Sequence, residues 1–495
     1  MVKRLETRFE RYCDGLLESL RHADRHLPAR WYLQGLVLPG GRKSVASMAA
    51  RVQPQNVRRA HQSMHHLVAD SDWSDTLWLA AVAKAVVPAL TGTGTSTAKS
   101  SGYTEPCYWI IDDTGMPKKG VHSVGVARQY CGQLGKTENC RVAVSLSLAT
   151  EQGSLPLYYQ LYLPSVWTDD PARCEAAGVP ERARFQSKGQ IARTQIEAAL
   201  AAGTPRGPVL ADAAYGDEAA FRDWLSAEGL AYAVGIGPAT AVWWGQTHQP
   251  LPLAIPSTST PPDTPKRRGK LRVHLARDAT HQPIAVSALA LKLANACYQL
   301  VTWRQGTNVE LKGRCARVRV RVRVRGRVRV RAAHRDPPRG EEWLISEWPE
   351  GEPEPTRYWL STLPEQTSFE DLMHTIKARW RIERDYQELK QELGLAHYEG
   401  RNWRGFHHHA SLCIAAYGFL MKERLSGVKK NAARFSQPAL PEAFCPRGSL
   451  PDAASSAALN RHPAISSRAR HRNAVATVPL LRKKRLPGAS YLLTQ

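Results

Sequence analysis

Two short apolar runs in this 495-residue chain each lead into an aspartate, and a later helical stretch carries a glutamate. Cys107-Tyr-Trp-Ile-Ile111 runs into Asp112-Asp113-Thr-Gly115, and Pro208-Val-Leu-Ala211 runs into Asp212. The third acid, Glu383, lies in Arg379-Trp-Arg-Ile-Glu-Arg-Asp-Tyr-Gln-Glu-Leu-Lys390. Hard divalent cations take carboxylate oxygens, and neighbouring strand ends bring such groups to one edge of a sheet. Two such ions about 4 Å apart activate an attacking oxygen and stabilise a leaving one in an in-line phosphoryl displacement. Asp112, Asp212 and Glu383 are therefore the candidate metal ligands.

The stretch around Glu383 reads as a helix. Ile376, Trp380, Ile382, Tyr386, Leu389 and Leu393 recur at three- and four-residue steps, no proline interrupts them, and Gly394 offers a stop. Arg379, Glu383 and Lys390 then share a face, because steps of four and seven return to the same side. A carboxylate between two cations suits a site that holds metal and phosphate together. The plain alternative is a solvated helix with an Arg379–Glu383 ion pair worth about 0.3–0.5 kcal/mol.

The elements that would position these acids follow in order. Residues 1–95 read as a helical domain. Arg42-Lys-Ser-Val-Ala-Ser-Met-Ala-Ala-Arg51 has Ser44 or Ser47 as cap and Val45, Met48 and Ala49 inward, and Asn56-Val-Arg-Arg-Ala-His-Gln62 follows it. The pair fits a helix-turn-helix reader of DNA, or an ordinary basic helical pair. Residues 96–235 alternate strands (107–111, 142–148, 155–163, 208–212, 231–235) with helices (181–202, 217–228), the pattern of the first part of an α/β core. Residues 236–345 read as a β-rich insertion, with strands at 271–275, 284–291 and 298–303. Residues 346–426 complete the core with a strand at 357–361, the Glu383 helix and a helix at 403–425. Residues 427–495, with Arg482-Lys-Lys-Arg485, read as a basic, flexible tail.

Inside the insertion, Arg317 to Arg331 alternates arginine with valine, broken only by Gly326. Strict alternation gives a strand with one cationic and one apolar face. That strand is either a rail for a phosphate backbone or, the reading preferred here, a repeat expansion lengthening an ordinary strand.

Composition narrows the function. There are 68 Lys and Arg against 44 Asp and Glu, a formal charge of +24. Eight of those cations lie in the repeat, and a large excess remains without them, which points to a polyanion such as nucleic acid. The nine cysteines form no CxxC pair, and the N-terminus lacks an apolar signal core. No apolar run approaches the ~18 residues of a membrane span. These features describe a soluble, cytoplasmic protein. Gly135-Lys136-Thr137 ends like a phosphate-binding loop, but that pattern needs glycine where Tyr130 stands. His407-His408-His409 does not grip one ion, since consecutive helical residues point about 100° apart, and reads as a polar helix start.

Trp109-Ile-Ile-Asp-Asp-Thr-Gly-Met-Pro-Lys-Lys-Gly120, His122-Ser-Val-Gly125, Arg128-Gln-Tyr130, Val209-Leu-Ala-Asp-Ala-Ala-Tyr-Gly216, Arg379-Trp-Arg-Ile-Glu383 and Tyr386 through Arg401 together resemble bacterial insertion-sequence transposases of the DDE class. The resemblance covers most of residues 105–425. It implies an RNase-H-like catalytic core with a β-rich insertion, preceded by a helical domain that binds transposon ends. It implies cut-and-paste chemistry on double-stranded DNA, transposon ends and target alike, with Mg²⁺, or Mn²⁺ in its place, and a homodimer in the synaptic complex. A Y-x2-R-x3-E-x6-K signature of related transposases matches at Arg379, Glu383 and Lys390, whereas Ile376 replaces the tyrosine. Asp112 is preferred to Asp113 as the first acid. Arg379, Lys390, Lys118 and Lys119 are the expected phosphate contacts. The competing readings are a non-catalytic DNA-binding relic and an RNase-H-like nuclease.

Overall fold

A computed structural model describes residues 2–92, 106–244, 283–293, 295–305, 310–322 and 340–430. Five helices come first: α1 (Val2–Leu17), α2 (His26–Val37), α3 (Val45–Val52), α4 (Val57–Ala69) and α5 (Asp75–Leu90). Ser44, Asn56 and Ser74 cap α3, α4 and α5 by accepting from Ser47 N, Arg59 N and Leu77 N, so each start is set locally. Met48 and Ala49 of α3 and Ala60, Met64, Leu67 and Val68 of α4 are buried, while Arg58, Arg59, His65 and His66 face outward.

Strands β1 (Cys107–Pro117), β2 (Ala127–Cys131), β3 (Lys136–Thr150) and β4 (Gly153–Leu161) follow, then helices α6 (Ser165–Thr168), α7 (Pro171–Ala176) and α8 (Lys188–Ala201). Next come β5 (Val209–Ala211), α9 (Ala213–Gly216), α10 (Ala219–Ala227), β6 (Tyr232–Ile236), β7 (Ala241–Trp243), β8 (Ile284–Ala285) and α11 (Val286–Lys292). The described chain ends with β9 (Gln299–Gln305), β10 (Glu310–Val322), β11 (Glu342–Trp348), β12 (Arg357–Ser361), α12 (Phe369–Lys377), α13 (Trp380–Gln391) and α14 (Trp403–Lys430).

The strands form one mixed sheet in the order β2-β3-β1-β5-β6-β12-β11-β10-β7-β8, with β4 on β3 and β9 on β10. At its centre β1, β5 and β6 are parallel, and β3 and β12 flank them antiparallel. Central strands carry near-continuous apolar runs because both faces are covered; Trp109, Ile110 and Ile111 are all fully buried. The insertion strands β7 to β11 extend this same sheet beyond β12.

Several expectations change. The run expected as a strand over 284–291 is a two-residue strand and then α11, because Val286, Leu289 and Ala290 recur at helical steps and bury together. The helix expected over 181–202 begins at Lys188, where Ser187 and Gln190 form a reciprocal capping box. The strand candidate at 271–275, residues 323–331 of the repeat and the tail beyond 430 lie outside the described residues. Within the described part of the repeat, the arginines are held by the protein itself. Arg317 donates to Thr367 O at 2.8 Å with its guanidinium 4.7 Å from the Trp343 ring, Arg319 donates to Glu341 O at 2.9 Å, and Arg321 pairs with Glu341 at 3.3 Å. That is the behaviour of a lengthened structural strand.

The three histidines are not a polar helix surface either. Helix α14 is buried between the sheet and the N-terminal helices, and each imidazole bonds to a different neighbour. His407 Nε2 accepts from Leu161 N at 3.2 Å, His408 lies 3.0 Å from Val68 O and 2.9 Å from Trp73 O, and His409 lies 2.8 Å from Tyr32 Oη and 3.0 Å from Gly394 O. Tyr12 and Trp78 add bonds to Ala415 O and Ser411 O, and Arg8 pairs with Glu423 at 2.5 Å.

Burial lowers both His408 and His409 to about 4. A histidine whose folded value lies below the ordinary 6.5 stabilises the fold fully above 6.5 and loses that contribution as pH falls toward 4. Thermal unfolding followed across this window should show the melting temperature dropping with pH. In a His408→Gln/His409→Gln variant the drop should be shallower; an identical slope would show that these rings do not titrate with unfolding.

Candidate active site

Sheet register sets the first two acids side by side. β1 and β5 run parallel with Trp109 opposite Val209 and Ile110 opposite Leu210. Carried two residues further, that register puts Asp112 level with Asp212, on strands about 4.8 Å apart. Asp112 does not close its strand as expected, for β1 continues to Pro117 and Asp112 pairs with Ser145 of β3. Asp212 does end β5, and its carboxylate caps α9 by accepting from Ala214 N at 3.0 Å.

Glu383 arrives on α13. The apolar periodicity that reads as one helix is split at Ala378–Arg379, which separates α12 from α13 and leaves Arg379 at the N-terminal boundary. From there Arg379 Nη1 donates to Asp112 Oδ2 at 3.0 Å and Nη2 to Glu383 Oε1 at 3.4 Å. Two further residues on the same face reach β1. Tyr386 Oη donates to Asp112 O at 3.2 Å and meets Ser145 Oγ at 2.7 Å, and Lys390 Nζ donates to Gly115 O at 2.8 Å. Gly394 ends this region with φ of +72°, and a Cβ there would strike the Lys43 side chain.

The electrostatics follow from burial. Side-chain exposure is 12% for Asp112, 28% for Arg379 and 57% for Glu383. Burial pushes Asp112 up to about 7, against the pull of Arg379 and with help from the charges of Asp212 and Asp113. For Arg379 burial acts downward, but Asp112, Asp212 and Glu383 together hold it above its ordinary value. One guanidinium thus feels all three acids.

The other expected groups are placed differently. Asp113, on the opposite face of β1, pairs with Lys188 Nζ at 2.5 Å. Lys118 donates to Tyr398 O at 2.8 Å and is lowered to about 8, by burial first and by Arg141 next. Lys119 is exposed, and Lys390 is lowered by burial. Ile376 is buried in α12 among core residues.

Hard carboxylate oxygens are the donor set that Mg²⁺ or Mn²⁺ takes, and a buried Asp112 needs a cation beside it, so the residues fit such ions. Among the described residues no three Asp, Glu, His or Cys side chains are gathered tightly enough to grip one ion. Arg379 bridges two of the carboxylates instead.

The family described as DDE superfamily endonuclease matches residues 15–310. The chain belongs to that superfamily. The matched region contains Asp112 and Asp212 and stops short of Glu383. A probable transposase for insertion sequence element IS701 from Microchaete diplosiphon is 29% identical over 229 residues, 46% of this chain and 53% of that protein. The chain spans about half the length of that curated relative.

Sequence reasoning on this member of the superfamily missed Tyr386 and Lys188. Tyr386 follows Glu383 by three residues, so helical spacing alone puts it on the acid-bearing face. No sequence signal joins Lys188 to Asp113.

Arg379→Ala should destabilise the protein by about 1.5–3 kcal/mol, the size of a hydrogen bond to a charged group, measured by urea unfolding. The same change in an Asp112→Asn background should cost markedly less. Equal costs in both backgrounds would show that the two side chains are not coupled.

Proposed function

We propose that this chain is a transposase that cuts and rejoins DNA through a two-metal DDE mechanism, with Asp112, Asp212 and Glu383 as metal ligands. The observations that carry the reading are that Arg379 bridges Asp112 and Glu383 and that the β1–β5 register sets Asp112 level with Asp212. The strand order β4-β3-β1-β5-β6, with β1, β5 and β6 parallel, supports an RNase-H-like core. On this reading 1–95 is the DNA-end-binding domain, 96–235 and 346–426 make the core, 236–345 is the insertion and 427–495 a basic tail. The outward Arg58 and Arg59 of α4 would meet the phosphates of a transposon end.

When bound, Mg²⁺ or Mn²⁺ would activate the attacking oxygen and stabilise the leaving oxygen. Arg379 keeps the buried Asp112 compensated and has to release at least one carboxylate for the acids to close on an ion. Its freed donors then face the scissile phosphate, where a planar fork suits two oxygens. Tyr386 and Lys390 hold the β1 backbone beside Asp112, and Lys119 and Lys118 add positive charge along the DNA path. Work on two ends at once favours a homodimer on double-stranded DNA, in the cytoplasm. Among the described residues no helix is long and apolar enough to cross a membrane.

The test is Mg²⁺-dependent cleavage of a labelled duplex carrying the element's own end, by the wild type, Asp212→Asn and Glu383→Gln. The wild type should cleave, and each variant should lose about 10²–10⁴-fold, the span for losing a positioned catalytic group, while still binding the end. Binding without cleavage by any of the three, with paired ends and Mn²⁺ included, would leave a DNA-binding relic. Cleavage with no preference for the end would point to a general nuclease.

A further inference from the structure

The hairpin of β2 and β3 reaches out beside the candidate active site and presents an unused aromatic face. Among the described residues β2 is an edge strand, paired only with β3. Arg128 and Tyr130 point to one side of it, with Thr137 directly across from Tyr130. Tyr130 is 51% exposed and Leu134, in the turn, 42%. Large apolar groups at a hairpin tip gain nothing for the fold there, since neither packs into the core.

The inward-facing side of the hairpin, by contrast, is fixed. Cys131 and Cys140 are fully buried, and Cys131 packs so closely on Gly115 that a Cβ there would lie 2.8 Å from its sulfur. Lys390 Nζ bonds both Gly115 O and Gln133 Oε1, the second at 3.3 Å, tying the turn to the Glu383 helix. Gly115 lies three residues beyond Asp112 on β1, about 10 Å by strand rise. The hairpin therefore lies within the reach of a few nucleotides from a phosphate held at the acids.

We infer that this hairpin is a nucleic-acid contact in which the Tyr130 ring stacks on an unpaired base flanking the reacting phosphate, with Arg128 on the adjoining backbone. An exposed aromatic beside cations, on a rigid support, is the arrangement that holds single-stranded nucleic acid. The chain's charge of +24 and the exposed Lys119 favour DNA over an acidic or apolar surface's partner. The inference rests on the DNA-processing reading above.

The probe is a synthetic duplex with a short single-stranded 3′ overhang containing pyrrolocytosine, compared with the blunt duplex. The wild type should quench the fluorescent base and bind the overhang duplex more tightly than the blunt one. Tyr130→Ala should abolish the quenching and weaken overhang binding about tenfold, the scale of a lost base–aromatic stack, and leave blunt binding unchanged. Tyr130→Phe should retain both, because the ring is what stacks. Circular dichroism and thermal unfolding of each variant establish that the fold is kept. Overhang binding and quenching by Tyr130→Ala equal to the wild type would overturn the inference while leaving the DNA reading intact. No binding of either duplex by the wild type would overturn both.

Discussion

A carboxylate buried in the middle of a central strand has to be compensated, and much of this molecule is arranged around that need at Asp112. Its ionised form loses hydration that the sheet cannot replace, which is why burial drives its titration up to about 7. Arg379 supplies the nearest charge, and the helix that carries it must lie across β1 to do so. Arg379, Glu383, Tyr386 and Lys390 form one stripe of α13, and three of the four touch β1 or the Asp112 side chain. The stripe that brings the third acid is thus also the device that docks the helix. In the proposed mechanism a divalent ion would offer the same compensation with more charge.

The second requirement is a firm support for that site. Helix α14 provides it by running between the sheet and the N-terminal helices, with apolar groups on all sides. Polar residues along it are paired across different elements, His407 to β4, His408 to the segment joining α4 and α5, and His409 to α2 and the end of α13. Buried imidazoles bonded to separate elements act as cross-links with direction, because each ring fits only one set of partners. The N-terminal helices are therefore joined to the sheet through a packed interface and not only through the chain.

The sheet extension shows a different economy. Beyond β12 the insertion strands continue the hydrogen-bond ladder and bury a small cluster of their own, Leu293, Tyr298 and Ala316. Arginines on β10 lie over Trp343 and bond Glu341 and Thr367 O, using the planar guanidinium as packing surface as well as charge. An alternating arginine–valine sequence is compatible with such a strand because either face finds partners, and the cationic face is not left free over the described residues.

Local chemistry in the sequence by itself determined a capped helix start at Ser44 or Ser47, the apolar central strands, the helical stripe through Glu383 and the three candidate acids in their order. These are legible because caps, strand alternation and helical periodicity act over a few residues, each with its own short-range energetics. The sequence also carried the excess of positive charge, which no fold can remove. Tertiary structure decided the rest. That Asp112 rather than Asp113 meets Arg379 depends on which face of β1 the helix crosses, and period-two alternation alone leaves both open. The 284–291 segment is apolar enough for either structure, and the space over it selected a helix. Lys188, Tyr386 and the buried histidines acquired their partners from segments up to hundreds of residues away. Local sequence specifies which way a side chain points along its own element, but only packing of whole elements specifies what it meets there.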